Sequence, residues 1–394
     1  MAVIIASLFS AKAKKRVRGY KNADNLKHFQ EKKLKRVWFH CASLGEFEQG
    51  RPLIEKYQND SGWEVIVSFF SPSGYEIVKK KALVDQQFYL LPDTKSNAKK
   101  TLDLVQPDLV IFIKYEFWAN HVFEISKRNI PLYCVSGLFR ENQVYFKYPF
   151  FAKVLKSFNF FFLQNDKSQE LLSTIQIQNC LVTGDTRFDR VSEGAKKAVS
   201  VNQVEVFLNG EKALIIGSSW PDDEQQLYSL LLSDKFKQKT IIAPHEIGEK
   251  HILELLKNLG ERALRFSDFD SSFKGQQFLI IDNIGMLSNL YQYGNLAYVG
   301  GAFHGSLHNI LEPAAFGLPV IFGPKFSKFP EGDRFIKEGI GISVNNAEEL
   351  QNAYQKMSQS LDELNQKVLA FVSKNIGATE LIYKRISEEV KDQQ

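Results

Sequence analysis

The sequence predicts an α/β protein built from two doubly wound parallel sheets. Three observations predict it. Short apolar runs recur along the chain between glycines, prolines and polar residues, and most are apolar throughout, as strands buried on both faces are. Stretches of helical spacing separate these runs, so each strand is followed by a crossover helix and not by a hairpin. At 394 residues the chain exceeds what one core usually serves, and the alternation pauses once, dividing it in two.

In the first series, strands are expected over 36–40, 64–69, 87–91, 109–113, 132–135, 160–163 and 180–183. Helices are expected over 46–57, 73–82, 96–105, 116–128 and 166–173. Residues 186–209 are polar without a clear apolar stripe and are read as a linker. Strands resume over 213–217, 239–243, 263–266, 278–282, 296–300, 320–322 and 341–344, and the tail from residue 347 is helical. The expected domains are therefore a basic segment 1–35, a first domain 36–185, the linker, a second domain 210–365, and a C-terminal helix 366–394 packing back on the first domain. Two such halves place a cleft between them, with ligands at the loops that follow the strands.

Composition is that of an ordinary folded protein, 44% apolar and 24% charged. The net charge of +5 is modest, but its location is informative. Eleven Lys and Arg residues lie between Lys12 and Arg36, opposed only by Asp24 and Glu31. The apolar stretch 3–9 ahead of them falls well short of the ~20 residues a membrane span needs, and no small-residue cleavage site marks a signal peptide. Two readings stay open: a solvated arm or nucleic-acid tail, or an interfacial anchor on anionic headgroups. Three scattered cysteines, Cys41, Cys134 and Cys180, suggest reduced thiols in a cytoplasmic setting.

Residues 300–324 carry the densest signal. A buried strand leads into Gly300, Gly301 and Gly305, then into His308, Asn309 and Glu312, expected in the first turn of a helix. Glycines let a backbone approach an anion, a helix N-terminus offers N–H groups, and Glu312 suits ribose hydroxyls, so this order fits a nucleotide phosphate. Glycines alone would fit a packing turn in any such sheet.

Other strand ends add candidates. Ser43 and Glu46 have the spacing of a capping box, yet Glu46 also follows a strand, where partial desolvation suits a carboxylate to general-base work. Gly45 beside it leaves room for a hydroxyl. Lys114, Glu116 and Trp118 follow another strand, with Glu116 either favouring a helix dipole or acting as a second site carboxylate. Ser218 and Ser219 precede a helix beginning near Pro221, whose Asp222, Asp223 and Glu224 read as electrostatic caps. Pro244 and His245 end the next strand. His304 and His308 are four apart, but Gly305 interrupts them and no zinc-site pattern accompanies them, so no metal is expected. A Walker lysine motif, a Gly-x-Ser-x-Gly elbow and an early Gly-x-Gly-x-x-Gly are all missing.

Taken together, residues 39–46 (FHCASLGE), Glu116-Phe117-Trp118 with Asn120, residues 184–189 (GDTRFD), Asp282 with Gly285, and residues 308–313 (HNILEP) resemble the bacterial Kdo (3-deoxy-D-manno-octulosonic acid) transferases of lipid A, which have the GT-B glycosyltransferase fold. The likeness spans about residues 37–330. It implies inverting transfer of Kdo from CMP-Kdo to a lipid A precursor, without a required metal or other cofactor, on the cytoplasmic face of the bacterial inner membrane. Peripheral attachment to anionic lipids, and no nucleic-acid partner, go with it. By resemblance Glu46 is the general base and Glu116 a second catalytic acid group. Ser218, Ser219, Pro244, His245, Gly285, Gly301, His308, Asn309 and Glu312 fall on the donor side. Ser43, Gly45, Lys114 and Arg187 fall on the acceptor side. The chain departs from the family at Lys114-Tyr115-Glu116, where Glu-Thr-Glu is frequent, at Ala119, where Pro is usual, and at Pro244-His245-Glu246, where Pro-Arg-His is frequent. Two alternatives remain open: another GT-B enzyme using a UDP-sugar, or a non-catalytic nucleotide- or lipid-binding relative.

Overall fold

β1 (Lys35–Cys41) is buried from its second residue to its last, which requires cover on both faces. In the computed structural model, which describes residues 31–392, that cover comes from helices on either side of a parallel sheet. The order continues as α1 (Leu44–Gln58), β2 (Trp63–Phe69), α2 (Pro72–Lys80), β3 (Gln86–Tyr89), α3 (Lys95–Val105), β4 (Leu109–Ile113) and α4 (Ala119–Lys127). It goes on through β5 (Leu132–Gly137), α5 (Val144–Lys147), α6 (Pro149–Leu155), β6 (Phe160–Leu163), α7 (Asp166–Thr174), β7 (Cys180–Val182) and α8 (Arg187–Lys196). The sheet runs β3-β2-β1-β4-β5-β6-β7 with every pair parallel. Alternate side chains serve opposite cores. Val37, Phe39 and Cys41 join Leu53, Ile54 and Val78 on one face, while Trp38, Val110 and Phe112 join Leu102, Val122 and Val154 on the other. Strand order reverses between β1 and β4, so the loops after these two neighbours diverge over the sheet's carboxyl edge, the position where such sheets bind ligands.

The second unit repeats the plan. It contains α9 (Asn202–Leu208), β8 (Ala213–Ser219), α10 (Pro221–Leu231), β9 (Thr240–Pro244), α11 (Glu249–Leu259), β10 (Ala263–Arg265), β11 (Phe278–Ile280) and β12 (Gly294–Val299). After these come α12 (Leu311–Ala315), β13 (Val320–Phe322), α13 (Pro330–Lys337), β14 (Gly341–Ser343), α14 (Ala347–Ser358) and α15 (Leu361–Asn375). The parallel order is β10-β11-β9-β8-β12-β13-β14, reversing between β8 and β12. The last described helix, α16 (Ala378–Asp392), returns to the first unit, which comprises the chain up to Arg190 and from Asn375 onward. Its Ile382 and Ile386 fill the core beside α1.

Several expectations need correction. Residues 186–209 are not a bare linker: they form α8 and α9, and Val204, Phe207 and Leu208 are buried against β8 and β9. The boundary between units falls within α8, after Arg190. The expected C-terminal helix from 366 is two helices, of which only α16 belongs to the first unit. The helix expected from Glu116 starts at Ala119, because Lys114 takes a left-handed turn (φ 68°) that delays it. The basic segment 1–35 lies outside the described residues except for its last five. Among the described residues, no helix is long and apolar enough to cross a membrane.

Candidate functional site

In the first unit, Glu46 stands in the first turn of α1, directly above the end of β1, and is only 8% exposed. The reciprocal capping box does not form. The Ser43 side chain makes no bond to the helix backbone; its hydroxyl donates to the Glu46 carboxylate instead. Gly45, between them, is exposed, and an added Cβ would meet nothing closer than Ser43 Oγ at 3.7 Å.

The turn after β4 comes to the same edge. Tyr115 has its phenol raised first by burial, then by the charge of Glu46, with Glu116 adding and Arg140 opposing. Burial and Glu46 likewise push up the Cys41 thiol. Glu46 and Glu116 thus share one electrostatic neighbourhood around Tyr115. Trp118 caps α4 and does not lie in a helix interior: its indole donates to His40 Nε2 at 2.9 Å and its ring stacks on Phe70 at 4.8 Å. His40 Nδ1 is left to donate to Ser68 Oγ at 2.8 Å.

Arg187 stands elsewhere in its chemistry. Its guanidinium forks onto Asp185 (Nη2 to Oδ2 2.7 Å, Nε to Oδ2 3.0 Å). Burial alone would raise the Asp185 carboxyl, but the charge and hydrogen bonds of Arg187, with the Gln49 amide, hold it below the usual range. Thr186 bonds the Gln49 carbonyl and Ser136. Asp189 accepts from Thr379 N–H (2.7 Å) and its hydroxyl (2.6 Å) at the start of α16. The 184–189 motif therefore staples α1, β5, α8 and α16, and Arg187 is spent on that staple.

In the second unit, the loops after β8, β9 and β12 converge on Trp220. Its ring lies between His304 (4.2 Å, 3°) and His245 (4.5 Å, 21°), and His245 rests on His308 (4.6 Å). Trp220 Nε1–H donates to His308 Nε2 at 3.0 Å. An indole N–H only donates, so the ring proton of His308 sits on Nδ1. Burial, and secondarily His245, lower His308 to about 4, so it is neutral at pH 7. His304 Nδ1 reaches Asp222 at 3.1 Å, so His304 and His308 face different partners and do not form a ligand pair.

Beneath this stack Asp223, expected from the sequence as a cap, does cap α10 and is a hub as well. Asp223 is fully buried. Its Oδ2 accepts from Trp220 N–H (3.0 Å) and Gly301 N–H (2.8 Å), and its Oδ1 from the Tyr298 hydroxyl (2.8 Å). One carboxylate thereby ties the turn after β8 to the glycine loop after β12. The glycines are demanded by the protein itself. A Cβ on Gly300 would lie 2.5 Å from the Ser218 carbonyl, and Gly301 holds φ +93° against the Ser306 carbonyl. Only Gly305 opens onto free space.

The remaining donor-side candidates divide. Ser218 is half-buried in a left-handed turn (φ 53°). Ser219 is fully buried and donates to Glu224 at 2.8 Å, so its hydroxyl turns inward. Pro244 is buried at the end of β9, and His245 is exposed. Gly285 is exposed with φ +98° in the loop after β11. Asn309 and Glu312 do pair, Nδ2 to Oε1 at 3.0 Å. Yet α12 has five residues and begins at Leu311, whose N–H is taken by Asn309 Oδ1 at 3.1 Å. His308 and Asn309 therefore lie in the loop before it, and not in the first turn where they were expected.

Sequence reasoning missed Asp223, Tyr298, Trp220, His304 and His40 as participants. The available signal was a Trp immediately after a strand-end Ser-Ser pair, followed three residues later by Asp.

An acidified solution should reveal His308. Its folded value lies below the ordinary 6.5, so its contribution is complete above pH 6.5 and is lost as pH falls toward 4. The melting temperature is expected to drop over that window, and to drop less in His308→Gln, as differential scanning fluorimetry at stepped pH would read.

Comparisons with known proteins agree with this architecture. Residues 12–190 match the family model described as 3-deoxy-D-manno-octulosonic-acid transferase (kdotransferase). The chain is 26% identical over 328 residues to the 3-deoxy-D-manno-octulosonic acid transferase of Aquifex aeolicus, covering 80% of this chain and 83% of that one. It is 24% identical over 384 residues to a bifunctional glycosyltransferase/methyltransferase of Fusobacterium nucleatum, of whose length it spans 59%. Among solved structures, the UDP-GlcNAc 2-epimerase of Neisseria meningitidis superposes with a TM-score of 0.65 at 14% identity, over 90% of this chain and 100% of that one, a likeness of fold.

Proposed function

Because the chain belongs to the Kdo transferases, glycosyltransferases of the GT-B fold, we propose that it moves Kdo from CMP-Kdo to a lipid A precursor in lipopolysaccharide synthesis, with inversion. The observation that carries this reading is the position of Glu46: nearly buried, at the strand-order reversal of the first sheet, with Glu116 at the neighbouring strand end.

In the proposed reaction the Glu46 carboxylate takes the proton of the acceptor hydroxyl as that oxygen bonds to the anomeric carbon of Kdo. The bond from that carbon to the CMP phosphate oxygen breaks, and CMP leaves with the electron pair. Kdo has no hydroxyl beside its anomeric carbon, so positive charge develops there readily. A nucleoside monophosphate leaving group needs only a few fixed donors, so no metal is assigned a role. Ser218, His245, His308, Asn309, Glu312, Gly301 and Gly285 are proposed for the donor, with Pro244 and Ser219 shaping their loops. Ser43, Gly45, Lys114 and Glu116 are proposed for the acceptor, and Arg187 as the support of α1 beneath it. A lipid acceptor and the basic segment before β1 favour a peripheral position on the cytoplasmic face of the inner membrane.

Mass spectrometry of a lipid A precursor incubated with the protein and CMP-Kdo should record a product heavier by whole Kdo residues. An unchanged acceptor, with thermal stabilisation by UDP and none by CMP, would overturn the assignment.

A further inference from the structure

His251, in the first turn of α11, takes no part in the proposed reaction, yet both of its ring nitrogens are engaged. Nδ1 lies 2.8 Å from the Glu246 carbonyl oxygen, and Nε2 lies 2.8 Å from Oε2 of Glu224 on α10. A carbonyl and a carboxylate only accept. A neutral imidazole has one proton and would serve one of them, setting a lone pair against the other oxygen. The ring that satisfies both is the imidazolium.

Such a charge needs compensation, and the surroundings supply it. The side chain is 12% exposed, and a cation in a helix's first turn opposes the dipole. Burial comes first and disfavours the charged ring, but the hydrogen bond and charge of Glu224, then those of Glu246, hold His251 above the ordinary 6.5. Glu224, itself buried, faces the ring from α10, and Glu246 faces it from the loop after β9. Lys250, beside it on α11, is exposed. From β8 comes only the uncharged Ser219 hydroxyl, which donates to Oε1 of Glu224 at 2.8 Å.

These contacts join the loops assigned to the donor. Ser219 is held through its hydroxyl by Glu224, and its carbonyl accepts from the His245 N–H at 2.8 Å. Glu246 directly follows His245, whose ring lies on Trp220 at 4.5 Å. We propose that His251 is a positioning residue: as an imidazolium it clamps the loop after β9 to α10, and its deprotonation loosens His245 and weakens nucleotide binding. The link to the nucleotide rests on the donor-site reading; the clamp itself does not. Because the folded value is raised, the clamp is complete below pH 6.5 and is lost as pH rises through that higher value.

The full chain carrying isotope-labelled histidine tests both parts. With His251→Gln identifying its resonance, the His251 ring should titrate with a midpoint above 6.5. By calorimetry, the parent should bind CMP roughly fivefold tighter than His251→Gln at about pH 6 and equally at about pH 8.5, a ratio in which the phosphate's own titration cancels. Reciprocally, saturating CMP should raise the His251 midpoint by about 0.7 of a pH unit. His251→Lys, a fixed cation, should keep the tighter binding at both pH values. A midpoint at or below 6.5, or a parent-to-variant ratio that does not change with pH, would overturn the proposal. No CMP binding at either pH, with the midpoint still raised, would instead overturn the donor-site reading and the link to the nucleotide, and leave the clamp standing.

Discussion

Glu46→Gln is expected to lower kcat for transfer by about 10²–10⁴-fold while leaving the affinity for CMP within twofold. The amide matches the carboxylate in size and still accepts the Ser43 hydroxyl, so the first turn of α1 should keep its place. What it cannot do is take a proton from the acceptor. Because the loss falls on the chemical step, kcat and kcat/KM should decline together, which steady-state assays against CMP-Kdo would read. Glu116→Gln, at a half-buried position in the same neighbourhood, should cost less. Turnover by Glu46→Gln above a tenth of the parent would assign the base elsewhere.

Asp223→Ala should be the most damaging single change in the second unit. It leaves three donors, Trp220 N–H, Gly301 N–H and the Tyr298 hydroxyl, without the acceptor they share in a fully buried pocket. An unsatisfied buried donor costs about 1–3 kcal/mol. Partial relaxation makes a total of about 3–5 kcal/mol reasonable, a fall in melting temperature of roughly 10 °C. The glycine loop would also lose its tether to the turn after β8, and titration calorimetry should record at least a tenfold weaker CMP interaction. A melting temperature within 2 °C of the parent would mean that the carboxylate is not the hub its geometry describes.

Much of the architecture was legible because each buried strand must be apolar on two faces, and β4 over its length and the apolar runs within β1, β8 and β12 read that way. The helix after β4 was misplaced because a left-handed turn at Lys114 leaves no mark on apolar spacing. α9 was misread for a different reason. Val201, Val204, Phe207 and Leu208 do follow helical spacing, but the polar residues around them hid the stripe. The site was legible in its strand ends and opaque in its partnerships. Asp223 and Gly301 are 78 residues apart, and nothing local to either predicts that one carboxylate serves both. The same holds for Arg187, which has the look of a free cation in the sequence and is spent on Asp185 two residues earlier.

The return of α16 to the first unit has a consequence for biosynthesis. Asp189 waits for the backbone of Thr379, Tyr133 for Glu389, and the core around Tyr57 for Ile382 and Ile386. On a ribosome adding about 5–20 residues per second, residues 191–374 separate those partners by roughly 10–40 s. During that interval the nascent amino-terminal half carries an uncovered apolar groove along α1, and the carboxyl-terminal half completes its own sheet only with β14, near the interval's end. The carboxyl-terminal half thus has every strand of its sheet before α16 is made, and the earlier-made half is the natural client of a holding chaperone until translation passes α16.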